Sequence, residues 1–215
     1  MATAGQMTVL ASGFDTLEGP AFDRNGNLFF VDWERHAIYR RSPDGKIEEF
    51  YNTGGVPAGL AFHPDGSLWV ADEGDDIHGL LRITQDGDAT LIVSDYEGKA
   101  LNGANDLIFD KAGNVYFSDP WRSNAENPVG GFYRYTVDGV LQQIDTGLAF
   151  PNGVALTHDG QFVILAETYR NRILRYRIGS DGSIGPREVW AETTLPAGGD
   201  GMAMAENGNL YVAHH

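Results

Sequence analysis

The sequence predicts an all-β fold of the β-propeller type, and two observations carry this prediction. Five times along the chain, a polar or small residue is followed eight positions later by a turn glycine, and these leading residues lie 40 to 48 positions apart. The segments between them contain short runs of aromatic and β-branched residues, which are typical of strands. Four-stranded repeats of roughly 40 to 50 residues are typical of propeller blades. The five pairs are Glu18 and Gly26, Ala58 and Gly66, Asn105 and Gly113, Asn152 and Gly160, and Asp200 and Gly208.

Each of the first four repeats predicts four antiparallel strands. In the first repeat these strands are predicted at residues 20–22, 28–31, 38–40 and 47–50. Asn25-Gly26 and Asp44-Gly45 connect them as tight hairpins, because glycine tolerates the positive φ that such turns require. Period-2 strands without any sustained helical stripe exclude a helical solenoid.

The repeats predict one propeller domain over residues 1–215, about four and a half blades long. The predicted blades cover approximately residues 14–52, 53–95, 100–146, 147–193 and, in part, 194–215. An open propeller exposes an unpaired strand edge and a blade face, both of which favour aggregation. We therefore expect either that the sequence is part of a longer protein or that a second chain completes the ring.

The amino-acid composition argues against several classes of function. The 215 residues include 30 acidic and 15 basic residues, for a formal net charge of −15, which repels nucleic acids and anionic lipids and attracts cations. No apolar run approaches the roughly 20 residues that a membrane-spanning helix needs. The chain has no cysteine, which excludes disulfides and thiolate metal sites. Its first residues do not resemble a signal peptide, so the predicted location is the cytoplasm.

Four of the five leading residues carry an oxygen ligand: Glu18, Asn105, Asn152 and Asp200. The innermost strands of a propeller start around one mouth of the central channel, so these side chains are expected to face each other there. Two carboxylates and two amide oxygens suit a hard ion such as Ca²⁺ or Mg²⁺. The alternative is structural, because Asn and Asp also begin turns and cap strand ends. Ala58 leaves a gap in the ring.

Several separated motifs, in the order and phase of the blades, resemble those of the senescence marker protein-30/gluconolactonase family, which includes the regucalcin-like proteins. The strings are Leu17-Glu18-Gly19-Pro20, Asn105-Asp106-Leu107, Phe150-Pro151-Asn152-Gly153 and Gly199-Asp200-Gly201-Met202. The resemblance implies a six-bladed propeller with one divalent metal at Glu18, Asn152 and Asp200. It also implies that Asn105 contacts metal or substrate, and that Asp200 is the candidate base. Calcium is the expected metal, with Mg²⁺, Mn²⁺ and Zn²⁺ as alternatives.

The resemblance implies a metal-dependent lactonase that acts on a small lactone or ester. Some members place an arginine two residues before the Asn105 position, where this chain has Gly103. The loops after the second strands are expected to bind the substrate, through Trp121, Arg122 and Tyr169 in addition to Asn105. Two alternatives remain open: an organophosphate hydrolase on the same metal, and a non-catalytic propeller that the metal stabilises and whose rim binds a partner.

Overall fold

The computed structural model describes residues 8–194 and 198–214, and their strands form consecutive antiparallel sheets. The first sheet contains β1 (Leu17–Phe22), β2 (Leu28–Asp32), β3 (Ala37–Arg41) and β4 (Ile47–Asn52). The second contains β5 (Pro57–Phe62), β6 (Leu68–Glu73), β7 (His78–Ile83) and β8 (Ala89–Val93). A hairpin of β9 (Asp95–Tyr96) and β10 (Lys99–Ala100) follows it.

The third sheet contains β11 (Leu107–Phe109), β12 (Val115–Asp119), β13 (Gly130–Tyr135) and β14 (Leu141–Leu148). The fourth contains β15 (Pro151–Leu156), β16 (Phe162–Glu167), β17 (Arg172–Arg177) and β18 (Glu188–Glu192). The fifth has two strands, β19 (Gly199–Met204) and β20 (Leu210–His214). The predicted all-β propeller is confirmed, with four four-stranded blades and a two-stranded fifth among the described residues.

The turn glycines have the backbone conformation that the repeat predicts. All nine glycines of the two hairpin positions in each repeat have φ between 68° and 96°. They are Gly26, Gly45, Gly66, Gly87, Gly113, Gly139, Gly160, Gly182 and Gly208. The β9–β10 hairpin was not predicted, because each of its strands is too short to show a period.

The hydrophobic core is divided into layers between neighbouring blades. Val70 packs in the layer between the first two blades, whereas its neighbours Trp69 and Ala71 pack in the layer between the second and third. This alternation follows from the two-residue period of a strand. Similar layers join the third blade to the fourth and the fourth to the fifth. The second, third and fourth blades are therefore each held by both of their neighbours rather than by a core of their own.

The innermost strands of successive blades, β1, β5, β11, β15 and β19, contact one another. In the first, second and fourth blades, the residue after the leading position lies against the backbone of the next blade. A Cβ atom at Gly19 or Gly153 would overlap the carbonyl oxygen of Ala58 or Asp200, and one at Gly59 would lie 2.6 Å from that of Asn105. Any side chain here would force the blades apart, so glycine at this step lets the leading residues converge.

The helices in the described ranges are two three-residue 3-10 turns, at Trp33–Arg35 and Thr168–Arg170. Within residues 8–194 and 198–214, no helix is long and apolar enough to cross a membrane.

Substituting Gly153 by alanine is expected to lower the free energy of unfolding by about 1–3 kcal/mol, the usual cost of overpacking a tight site. The matched control is Gly201→Ala, since Gly201 occupies the same position in the fifth blade and a Cβ there would meet no described atom within 4 Å. Urea unfolding of both variants measures the difference. Equal stability of the two would show that the close approach does not constrain the ring.

Candidate metal centre

Three of the four predicted oxygen donors, Glu18, Asn152 and Asp200, lie where their innermost strands depart from regular pairing, and Asn105 lies two residues before β11. The pairing register shifts between Glu18 and Ala21 in β1, between Pro151 and Val154 in β15, and between Gly199 and Met202 in β19. Such a bulge bends a strand and changes the direction of its side chains. At these three positions the leading residue is thus released from the alternation that sends neighbouring side chains into the layers between blades.

The four donors line one cavity of about 660 Å³ between the innermost strands. Asn152 is buried, and Glu18, Asn105 and Asp200 are half-buried. Gly19, Gly59 and Gly201 line the same cavity, so the close approach of the strands forms part of its wall. A second cavity of about 480 Å³ lies at the opposite ends of these strands, between the hairpins of the first two blades, and none of the predicted site residues lines it.

Asp106 occupies the position at which the other innermost strands have glycine. Its Oδ2 accepts a hydrogen bond from the backbone N–H of Val154, at 2.7 Å, and its Oδ1 accepts one from that of Leu107, at 2.9 Å. The side chain therefore bridges to the next blade, where the glycines allow direct backbone contact. The sequence pattern missed this role, although Asp106 directly follows a predicted donor.

Burial raises the pKa of Asp106 to about 7, and the negative charges of Asp200 and Glu18 add to this effect. Like charges that share a partly closed cavity each disfavour the ionised form of the others. The cavity therefore has a negative potential that a cation would relieve.

Glu73, at the end of β6, is a second carboxylate that the repeat pattern missed. It is 4% exposed, and its Oε1 accepts a hydrogen bond of 2.9 Å from Nδ2 of Asn105. Burial raises the pKa of Glu73 to about 7, with a smaller contribution from the charges of Glu18 and Asp72. Its place at the site follows only from its hydrogen bond to Asn105, which lies 32 positions later in the sequence.

A different set of buried carboxylates lies at the ends of the second strands of the first four blades, as the last residue or, for Asp72, the one before it. Each accepts a hydrogen bond from a backbone N–H in the segment that leads into the innermost strand of the same blade. The pairs are Asp32 with Asp15 at 3.2 Å, Asp72 with Val56 at 2.8 Å, Asp119 with Gly103 at 2.7 Å and Glu167 with Ala149 at 2.8 Å. These carboxylates hold the chain two or three residues before the leading position, which is a structural role.

The predicted substrate residues Trp121, Arg122 and Tyr169 lie outside the lining of the 660 Å³ cavity, on segments that follow the second strands. Arg122 Nη2 lies 2.6 Å from Oδ1 of Asp75, in a pair with both side chains largely exposed. Tyr169 is 49% exposed and its ring packs against that of Phe150, two residues before Asn152. These contacts are on the side of the blades where the innermost strands begin.

The donor set fits a hard divalent cation. Within the described part of the chain, no group of three or more His, Cys, Asp or Glu side chains is placed to hold a metal ion. A cation in this cavity would therefore depend on the amide oxygens of Asn105 and Asn152 beside the carboxylates of Glu18 and Asp200. Such an oxygen-only set, with a net charge of about −2, suits Ca²⁺ or Mg²⁺.

Comparison with known proteins identifies several relatives of this chain. A family model described as the SMP-30/Gluconolactonase/LRE-like region matches residues 17–215. The diisopropyl-fluorophosphatase of Loligo vulgaris is 33% identical in an alignment of length 228, which covers 92% of this chain and 71% of that protein. The gluconolactonase of Zymomonas mobilis is 30% identical in an alignment of length 237, which covers 95% of this chain and 66% of that protein. The chain thus spans about two thirds of the length of that gluconolactonase.

A solved structure of a gluconolactonase from Xanthomonas campestris aligns with a TM-score of 0.84 and 26% sequence identity. The alignment covers 94% of this chain and 71% of that one.

Replacing Asp106 by alanine is expected to destabilise the fold, because the N–H groups of Val154 and Leu107 lose their acceptor. Each buried unsatisfied N–H costs about 1–3 kcal/mol, so a loss of roughly 2 kcal/mol or more is expected in urea unfolding. The control is Asp76→Ala, which removes an exposed carboxylate from a loop. A stability loss no larger than that of the control would contradict the bridging role.

Proposed function

Because the chain belongs to the SMP-30/gluconolactonase/LRE-like family, we propose that it is a metal-dependent hydrolase that opens lactone rings. The observation that carries the proposal is the convergence of Glu18, Asn105, Asn152 and Asp200, from four different blades, on one cavity. Relatives named as a gluconolactonase and as lactonases, at 30% and 32% identity, support the choice of substrate class.

We propose that Glu18, Asn105, Asn152 and Asp200 hold one divalent metal, which is Ca²⁺ in the first instance and Mg²⁺, Mn²⁺ or Zn²⁺ otherwise. When bound, such an ion supplies Lewis-acid polarisation of a carbonyl oxygen and stabilises the negative charge that develops there. The hardness of the four oxygen donors supports calcium or magnesium over zinc.

Asp200 is the proposed general base. Its carboxylate accepts a proton from water as the water oxygen forms a bond to the lactone carbonyl carbon. The ring C–O bond then breaks, and the proton passes to the departing ring oxygen, so that lactone and water give one hydroxy acid.

Substrate binding is assigned to Asn105 in the cavity and to Trp121, Arg122 and Tyr169 at its rim. The Arg122–Asp75 pair and the Phe150–Tyr169 ring contact tie these rim segments to neighbouring loops. Contacts with parts of the substrate remote from the reacting carbonyl can orient it for attack. The substrate is a small lactone or ester, and the cytoplasm stays the predicted location.

An organophosphate hydrolase on the same site is the second candidate. The 33% identity to the diisopropyl-fluorophosphatase favours it, since a phosphoryl oxygen can take the place of the carbonyl oxygen on the same metal. A non-catalytic propeller that the metal stabilises and that binds a partner remains the third alternative.

Removal of divalent metal with a chelator is expected to abolish lactone hydrolysis, and Ca²⁺ is expected to restore it. Asp200→Asn keeps an oxygen donor but is not basic, so kcat is expected to fall by about 100-fold or more while metal binding is retained in part. Asp138→Asn, an exposed hairpin residue, serves as the control. Chelator-resistant activity, or full activity of Asp200→Ala, would refute the proposal.

A panel of aldonolactones, aliphatic lactones and phosphotriesters separates the candidates. The proposal predicts the highest kcat/KM on a lactone, at least tenfold above that on any phosphotriester. The reverse order would establish the organophosphate hydrolase. Metal-dependent thermal stability without turnover on either class would establish the non-catalytic propeller.

A further inference from the structure

The second blade contributes to the site through its second strand rather than through its innermost strand. Its leading residue is Ala58, which offers no ligand, yet its strand β6 ends in Glu73 beside Asn105 of the third blade. Glu73 is a buried residue next to Asp72, but the two carboxylates have different partners. Asp72 accepts backbone N–H groups from Val56 and Gly74, whereas Glu73 binds a side chain that lines the cavity.

Hydrogen-bond chemistry sets the orientation at this contact. A carboxylate accepts hydrogen bonds, and the amide nitrogen of asparagine donates them. Asn105 of the third blade donates such a bond to the Glu73 carboxylate. The Asn105 amide therefore turns its nitrogen, 2.9 Å away, toward Glu73. Its oxygen Oδ1 is the polar atom left for another partner.

Backbone packing fixes the position of Glu73 as well. Gly103, two residues before Asn105, has φ of 144°, a conformation that favours glycine. A Cβ at Gly103 would lie 2.9 Å from the carbonyl oxygen of Glu73 and 3.0 Å from its Cα. The segment leading to Asn105 thus lies directly against the backbone of Glu73, which leaves the carboxylate little freedom to move away from the amide.

We propose that Glu73 is a positioning residue that holds the Asn105 amide with Oδ1 toward the cavity, as a ligand for a divalent cation. The inference rests on the proposed metal-binding role of Asn105 and adds a residue outside the ligand set. Partners that orient a ligand in this way typically change metal affinity by about 10–100-fold when they are removed.

A second effect of Glu73, attraction of the cation by its charge, makes different predictions from positioning. Glutamine keeps an oxygen that accepts from Asn105 but has no charge, so Glu73→Gln separates the two effects. Methionine has a similar length and cannot accept a strong hydrogen bond, so Glu73→Met removes both. In an Asn105→Ala background there is no amide to orient, and only a charge effect would survive.

The test combines calorimetric titration of the full chain with Ca²⁺ and ¹⁵N spectra of the Asn105 side-chain amide without metal. We expect Glu73→Gln to bind Ca²⁺ within about threefold of the wild type and Glu73→Met at least tenfold more weakly. In the Asn105→Ala background, Glu73→Met should cause no further loss, which is the non-additivity of coupled residues. The Asn105 NH₂ resonances should shift and lose protection from exchange in Glu73→Met. Glu73→Ala is the second truncation, used if the methionine variant does not fold.

The outcomes are distinct. Unchanged Asn105 amide resonances in the truncated variants would overturn the positioning role. Equal weakening by glutamine and methionine, or full additivity with Asn105→Ala, would overturn it in favour of a charge effect. If the wild type binds no Ca²⁺ but the amide resonances respond as expected, the hydrogen bond stands and the proposed metal-binding function fails.

Discussion

The close approach of neighbouring innermost strands is the constraint on which the rest of the structure depends. At the residue after the leading position in the first, second and fourth blades, the backbone lies against a carbonyl group of the next blade, as at Gly153 and Asp200. Glycine permits this contact, and Asp106 replaces it with a carboxylate that accepts the N–H of Val154. Because the strands meet so closely, successive donor side chains 47 to 87 residues apart in sequence line one cavity.

The acidic residues fall into groups with different physical roles. Aspartates in the hairpin turns, such as Asp159 and Asp181, are exposed. They accept hydrogen bonds from nearby backbone N–H and hydroxyl groups, and these bonds lower their pKa values. Asp72 and Asp119 are buried at strand ends, where desolvation raises the pKa although backbone N–H groups oppose it. The carboxylates of the cavity crowd one another, and this crowding is what a cation can offset.

The repetition of local patterns made most of the fold predictable. Hairpin glycines, alternating strands and the phase of Glu18, Asn105, Asn152 and Asp200 are all visible within single repeats. The roles of Glu73 and Asp106 were not predictable, because each depends on a contact with another blade, across 32 and 48 positions. Loop length and residue type favour Trp121, Arg122 and Tyr169 as substrate-binding residues. These features do not determine how the loops fold around the opening of the central cavity. Their substrate role stays a proposal.

The most direct test of the central claim is anomalous diffraction from crystals of the full chain grown with Ca²⁺ or Mn²⁺. The account predicts one anomalous peak in the central cavity, bound by oxygens of Glu18, Asn105, Asn152 and Asp200, at about 2.3–2.6 Å for Ca²⁺. A peak bound by other residues, or no peak at a saturating metal concentration, would contradict it.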